Sequence, residues 1–222
     1  MINTLNELML TAESFTSYLL DKKVTFDKRG LPLIPPECYL RSLPRNVVPW
    51  DYRNSSFVSD PSSTVICWYA PDRRLLPRLE TVFSDISDLK RFQAVVWLDL
   101  TVTYDMDPQY QEFLMLLNQL FAAVCAVNGI PVVANLRTGG RETLSLLSTI
   151  PHNVTVAAGT LGCENLRSNS DFSFIEKVLR VHARSVIIYG KKDPIAEDQL
   201  KTMGVAFRRF PDIHSRYRNL NR

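Results

Sequence analysis

Residues 128–140 read NGIPVVANLRTGG, that is Asn128-Gly129-Ile130-Pro131-Val132-Val133-Ala134-Asn135-Leu136-Arg137-Thr138-Gly139-Gly140. Asn128-Gly129 has the form of a helix C-cap, where glycine takes the left-handed conformation that ends a helix. The strand expected over 131–136 opens with a continuous apolar run, as a strand covered on both faces does. Gly139-Gly140 then permits a tight exit and close backbone approach at the carboxyl end. A helix stop, a buried strand and a glycine-rich exit together are the punctuation of a parallel α/β fold.

The same punctuation repeats outward. Strands are expected over 64–69, 94–99, 131–136, 154–158, 185–189 and 205–208, and helices over 75–89, 108–127, 141–149, 172–182 and 196–203. Met203-Gly204 is a second helix stop placed directly before a strand. The fold class is therefore α/β, a mostly parallel sheet of about six βα units, open or barrel-like. Five of the eight glycines (Gly139, Gly140, Gly159, Gly162 and Gly190) lie just past strand carboxyl ends, as does Asp99. Ligands of parallel α/β folds gather at that edge.

Upstream of the sheet, Thr4-Leu5-Asn6-Glu7 is a capping-box pattern opening a helix with apolar positions Leu5, Leu8, Ala12, Phe15 and Leu19. That stripe covers the body, or it is an arm for a partner or a second copy of the chain. Residues 21–62 are rich in proline and turn formers and read as a wrapping segment with one short strand near 23–26. Trp50, Tyr52 and Phe57 would pin it. The expected divisions are 1–62, helix and wrap; 63–210, the parallel α/β domain; and 211–222, a basic tail.

Composition limits function only loosely. With 222 residues, 45% of them hydrophobic and 22% charged, the chain can bury a sizeable core. A net charge of +3 neither demands nor excludes nucleic acid. Cys38, Cys67, Cys125 and Cys163 form no C-x-x-C pair, which argues against a zinc ribbon and for a reducing compartment. The N-terminus lacks a signal-peptide pattern, and the apolar stretch 113–134 is broken by polar residues, glycine and proline. A cytoplasmic protein with no membrane partner is expected.

Candidate chemistry lies at the strand ends. Asp99 ends a buried strand, where a carboxylate needs hydrogen bonds, a cation or a substrate; it is the one candidate catalytic group. Asn135, Arg137, Gly139, Gly140 and Arg141 suggest an anion site at a helix N-terminus, or a tight turn flanked by arginines. The spacing is not that of a Walker loop. Thr160, Gly162 and Cys163 follow the fourth strand and Tyr189 closes the fifth. His152, His182 and His214 are poorly placed to serve a cysteine or serine nucleophile. The tail interleaves Arg208, Arg209, Arg216, Tyr217 and Arg218, a pattern suited to phosphate contact and base stacking. No metal and no cofactor is expected.

These residues resemble a bacterial and phage family, domain of unknown function 4417, over roughly residues 43–193. The family's P-D-F-S-x-x-x-D-M-P is matched by Asp99-Leu100-Thr101 and Asp105-Met106. Its G-I-x-V-I-P-N-V-R-W-G is matched by Gly129-Ile130, Val132-Val133, Asn135, Arg137 and Gly139. Its S-T-x-G-C is matched by Thr160, Gly162 and Cys163, and its Y-G by Tyr189-Gly190. Where many members carry an acidic pair, this chain has Trp68-Tyr69. Thr138 replaces a tryptophan, and Gly159 a serine. The resemblance implies a phage or mobile-element protein.

Two functional expectations follow. The first is a non-catalytic interaction module that binds a host protein or nucleic acid through the N-terminal helix, the wrap, the tail or an exposed Trp68-Tyr69 pair, in replication or anti-defence, with self-association through the helix. The other is an enzyme or small-ligand or phosphate binder with its pocket at the carboxyl edge of the sheet.

Overall fold

A computed structural model of the chain describes residues 2, 4–160 and 173–220. Seven strands lie in one sheet in chain order: β1 (Asn46–Pro49), β2 (Thr64–Cys67), β3 (Ala94–Val96), β4 (Val132–Asn135), β5 (Thr155–Gly159), β6 (Ser185–Tyr189) and β7 (Ala206–Phe210). Every neighbouring pair is parallel. α1 (Leu5–Asp21) precedes them. The connections carry α2 (Asp72–Leu89), α3 (Pro108–Val127), a 3-10 helix (Arg141–Thr149), α4 (Phe174–Arg180) and α5 (Pro194–Thr202). α6 (Ile213–Leu220) follows β7.

Sequential order decides the shape. Right-handed crossovers between consecutive strands place every connecting helix on the same face of the sheet. The other face is buried only if the sheet curls on itself. Two cores show that it does. Val48, Ile66, Trp68, Val95, Val132, Val156 and Ile188 point outward into the layer shared with the helices. The residues between them, Val47, Val65, Cys67, Val96, Val133, Ala157 and Ile187, form a separate inner core. The alternation is strict because strand side chains have a period of two. The result is a nearly closed, barrel-like parallel sheet.

Where a further strand would complete the barrel, arginines join its two edges. Arg208 Nη1 donates to the Pro44 carbonyl at 2.8 Å. Arg216 of α6 donates from Nη1 to Asn46 Oδ1 (2.9 Å), from Nη2 to the Val47 carbonyl (2.7 Å) and from Nε to the Pro211 carbonyl (3.1 Å). The other end of the barrel is plugged by the wrap. The Leu40 amide donates to Val132 O, and Leu40 O accepts from the Thr155 amide, both at 2.9 Å. Leu40 joins the inner core.

The N-terminal capping box forms with both reciprocal bonds, and α1 buries Leu8, Ala12, Phe15 and Leu19. Leu5, expected on the same stripe, is exposed. Two expectations about local structure change. β1 lies inside the proline-rich wrap, while residues near 23–26 contribute only an isolated bridge, Phe26 to Pro32. An edge strand tolerates Pro49 because one side of its backbone is unladdered. Residues 141–149 form a 3-10 helix, not an α-helix. From Ile213 the tail folds as α6. α3 is long and apolar enough to cross a bilayer by composition, and most of it is buried against α1, α2 and the sheet.

Gly159 shows how tightly the inner face is fitted. A Cβ there would collide with the Tyr69 ring, which occupies the space a side chain would fill. Gly159→Ala should cost about 1–3 kcal/mol by overpacking, measured by urea unfolding. Tyr69→Leu in the same background should recover part of that loss.

Candidate ligand-binding site at the barrel mouth

The strand carboxyl ends surround a cavity of about 450 Å³. Asp99, just past β3, and Arg137, just past β4, lie on its wall. Asp99 Oδ1 accepts from Asn135 Nδ2 at 2.6 Å and from Arg137 Nε at 2.9 Å, and its Oδ2 accepts from Arg137 Nη2 at 2.8 Å. The side chains of this bidentate pair are only 6% and 14% exposed. A planar guanidinium matched to a carboxylate in this way is held in one orientation. Asp99 therefore acts first as the residue that positions Arg137.

Beside the pair stand two tyrosines. Tyr69 donates from Oη to Asn135 Oδ1 at 3.4 Å, a long bond. Its ring stacks on that of Tyr189, with centroids 5.6 Å apart and planes inclined by 17°. Both line the cavity. Burial, reinforced by the charge of Asp99, pushes the Tyr69 phenol well above its ordinary pKa. Burial also pushes the Tyr189 phenol up. Both remain protonated donors at neutral pH.

The rim is polar. Arg74, in the first turn of α2, lies 3.5 Å from Asp51, and both side chains are about half exposed. The Thr101 amide and hydroxyl donate to Asp72 Oδ1 at 3.0 and 2.9 Å, fixing the exit of β3 against α2. Ile213 and His214 of α6 close the side opposite. Asp212 caps α6 by accepting from the Ser215 amide at 3.0 Å.

Of the residues singled out by sequence, the cavity brings together Asp99, Arg137, Tyr69 and Tyr189, with Asn135 directly behind them. Others serve the scaffold. The Gly139 amide donates to Thr143 Oγ1 at 3.1 Å and the Gly140 amide to Gln111 Oε1 at 2.7 Å, so neither is available to an anion. Gly139 has no room for a Cβ because Gln111 Oε1 fills that place. Arg141 begins the 3-10 helix and does not line the cavity. Thr160 Oγ1 accepts from the Lys191 amide at 2.7 Å and donates to Tyr189 O at 3.4 Å. Gly162 and Cys163 lie outside the described residues.

The Trp68-Tyr69 pair is buried. Trp68 faces outward into the core against Trp50 and Phe121, with ring centroids 5.5 and 5.2 Å away. The basic residues of the tail have partners within the chain. Arg208 and Arg216 join the barrel edges, Arg209 lies 3.4 Å from Glu197, and Arg218 donates to Ser215 Oγ at 3.1 Å. Tyr217 packs edge-on against Phe57 at 4.9 Å. A second cavity of about 290 Å³, between the wrap and α3, collects none of the candidate residues. Among the described residues, no three His, Cys, Asp or Glu cluster as a metal site.

Sequence reading passed over Asp51, Arg74 and Gln111, and set aside His214, which lines the cavity, as poorly placed. Arg74 follows the second strand by a few residues, and that position was its only signal. Asp51 and His214 sit in segments that looked like wrap and tail, and no local pattern places them at the mouth.

The family model described as Domain of unknown function (DUF4417) matches residues 29–211. Comparisons with curated proteins and with solved structures return no match.

Proposed function

The chain belongs to the Domain of unknown function (DUF4417) family, and we propose that it binds a small molecule in the mouth of its barrel. The matched region, residues 29–211, contains every wall of the cavity except the first turn of α6. The observation that carries the reading is the cavity itself. Its volume of about 450 Å³ suits a metabolite-sized ligand, and its apolar body holds a few converging polar groups. Those groups come from the ends of β1, β2, β3, β4 and β6, the usual construction of a binding site on a parallel barrel.

The arrangement favours binding over acid–base chemistry by Asp99, whose two oxygens already accept three hydrogen bonds. A macromolecular surface at the tail has less support, because two of its arginines, Arg208 and Arg216, are engaged in joining the barrel edges.

Ala70 lines the cavity and lies between β2 and α2. Ala70→Trp should fill the mouth. In a ligand-observed NMR screen of a soluble fragment library, compounds that bind the full chain should lose at least about tenfold in affinity on Ala70→Trp. They should keep it on the exposed control Lys201→Ala. Hits that ignore Ala70→Trp, or an absence of hits with folded protein, would remove the proposal.

A further inference from the structure

We infer that α6 is a hinged lid. It lifts from the barrel as a unit while the sheet stays folded, and uncovers the seam between β1 and β7 together with the wall of the mouth at Ile213 and His214. The bonds that build α6 are local. Asp212 accepts from the Ser215 amide at 3.0 Å and from the Ser215 hydroxyl at 2.7 Å. Arg216 Nε donates to the Pro211 carbonyl at 3.1 Å, and Arg218 donates to Ser215 Oγ at 3.1 Å. Each joins residues no more than five positions apart, so all of them travel with the helix when it moves. Because Pro211 and Asp212 bond into α6, the hinge falls ahead of them, where β7 ends.

Little apolar surface ties α6 to the body. Ile213 is buried, Ser215 and Arg216 are half-buried, and His214, Tyr217, Arg218 and Asn219 are exposed. Among the described residues, its main attachments are the Arg216 bonds to Asn46 Oδ1 and the Val47 carbonyl and the contact of the Tyr217 ring with Phe57. Segments held by few buried apolar contacts open locally at the lowest free energy. The strand beneath is held differently. β7 is laddered to β6 along Ala206–Phe210, and Arg208 ties it to the Pro44 carbonyl without help from α6. The lid can therefore leave while the sheet keeps its order.

Two cysteines report separately on lid and body. Cys67 is fully buried in the inner core and pairs across the sheet with Pro49 of the edge strand β1. Arg216 is near enough for its charge to favour the thiolate, while burial holds the thiol well above its ordinary pKa. Lifting α6 withdraws that arginine and opens the seam one strand away from Cys67. Cys125 is equally buried, but it lies on α3 in the core shared with the helices. It is reached only when that core comes apart.

The test labels the full chain with iodoacetamide at concentrations where reclosing outpaces labelling, so that rates follow the population of open forms. Peptide mass spectrometry reads Cys67 and Cys125 separately, each against its rate in the denatured chain. In dilute urea Cys67 should label at least about tenfold faster than Cys125. Its rate should also rise far less steeply with urea, because lifting one short helix exposes little surface. Tyr217→Ala, which removes the contact with Phe57, should speed Cys67 about tenfold. Leu79→Ala, in the buried face of α2, should speed Cys125 at least about tenfold and leave Cys67 within about twofold. Should that variant fail to fold, the urea series on the unaltered chain still decides. Cys67 following Cys125 through that series would show that α6 leaves only with the whole fold, which overturns the lid. Cys67 indifferent to Tyr217→Ala would mean that some other opening exposes it, with the same consequence.

Discussion

Replacing Arg216 with leucine lowers the unfolding free energy by about 3–4 kcal/mol, among the largest single losses expected in this chain. The guanidinium spans the seam of the barrel, binding Asn46 Oδ1, the Val47 carbonyl and the Pro211 carbonyl at 2.7–3.1 Å. Val47 lies on β1, whose only sheet neighbour among the described residues is β2. On the other edge of β1 the arginine does part of the work of a missing strand. Leucine fills some of the volume but leaves part-buried acceptors, the Val47 carbonyl on a buried residue among them, without a donor, which is the expensive half of losing a hydrogen bond. Arg216→Lys retains the charge with fewer directed donors and should recover less than half of the loss. Urea unfolding followed by far-UV circular dichroism measures both variants. A change below about 1 kcal/mol for leucine would mean that the seam is held by packing alone.

Asp99→Ala is expected to cost about 3–5 kcal/mol, because it removes one member of a buried, bidentate ion pair. The Arg137 guanidinium loses the carboxylate that accepts two of its donors, and Asn135 Nδ2 loses its acceptor. The double variant Asp99→Ala/Arg137→Met removes the charge as well as its partner. It should be more stable than the sum of the single changes predicts, with a coupling of about 2 kcal/mol or more in a double-mutant cycle. Additive losses would show that the two side chains act independently. Asp99→Asn keeps the shape but turns one acceptor into a donor facing other donors, so it should recover little.

Much of the scaffold was legible in the chain because its signals are local. Helix Pro108–Val127 is marked by Asp107 capping its start, Pro108 in its first turn and Gly129 in a left-handed conformation just past its end. The strand Ser185–Tyr189 is marked by a β-branched run and a following glycine. β1 was hidden because Pro44 and Pro49 give its neighbourhood the composition of a loop, and only pairing with β2 makes it a strand. Within the site, Asp99 and Tyr189 stood out as polar groups ending buried strands. Gly139 and Gly140 looked like an anion cradle. The residue that takes the Gly140 amide, Gln111, lies on α3, 29 positions away.

The sequence alone determined the fold class and the edge at which a ligand would be met. Both depend on periodicity, caps and glycines, which act over a few residues. Tertiary structure decided that the sheet curls, that Trp68 and Tyr69 are buried on its two faces, and that Asp99 is spent on Arg137. It also decided that the tail closes the barrel, through hydrogen bonds between residues 164 to 170 positions apart. The physical reason is that closure depends on which edges meet after the strands have twisted, and no local stretch of sequence contains both edges.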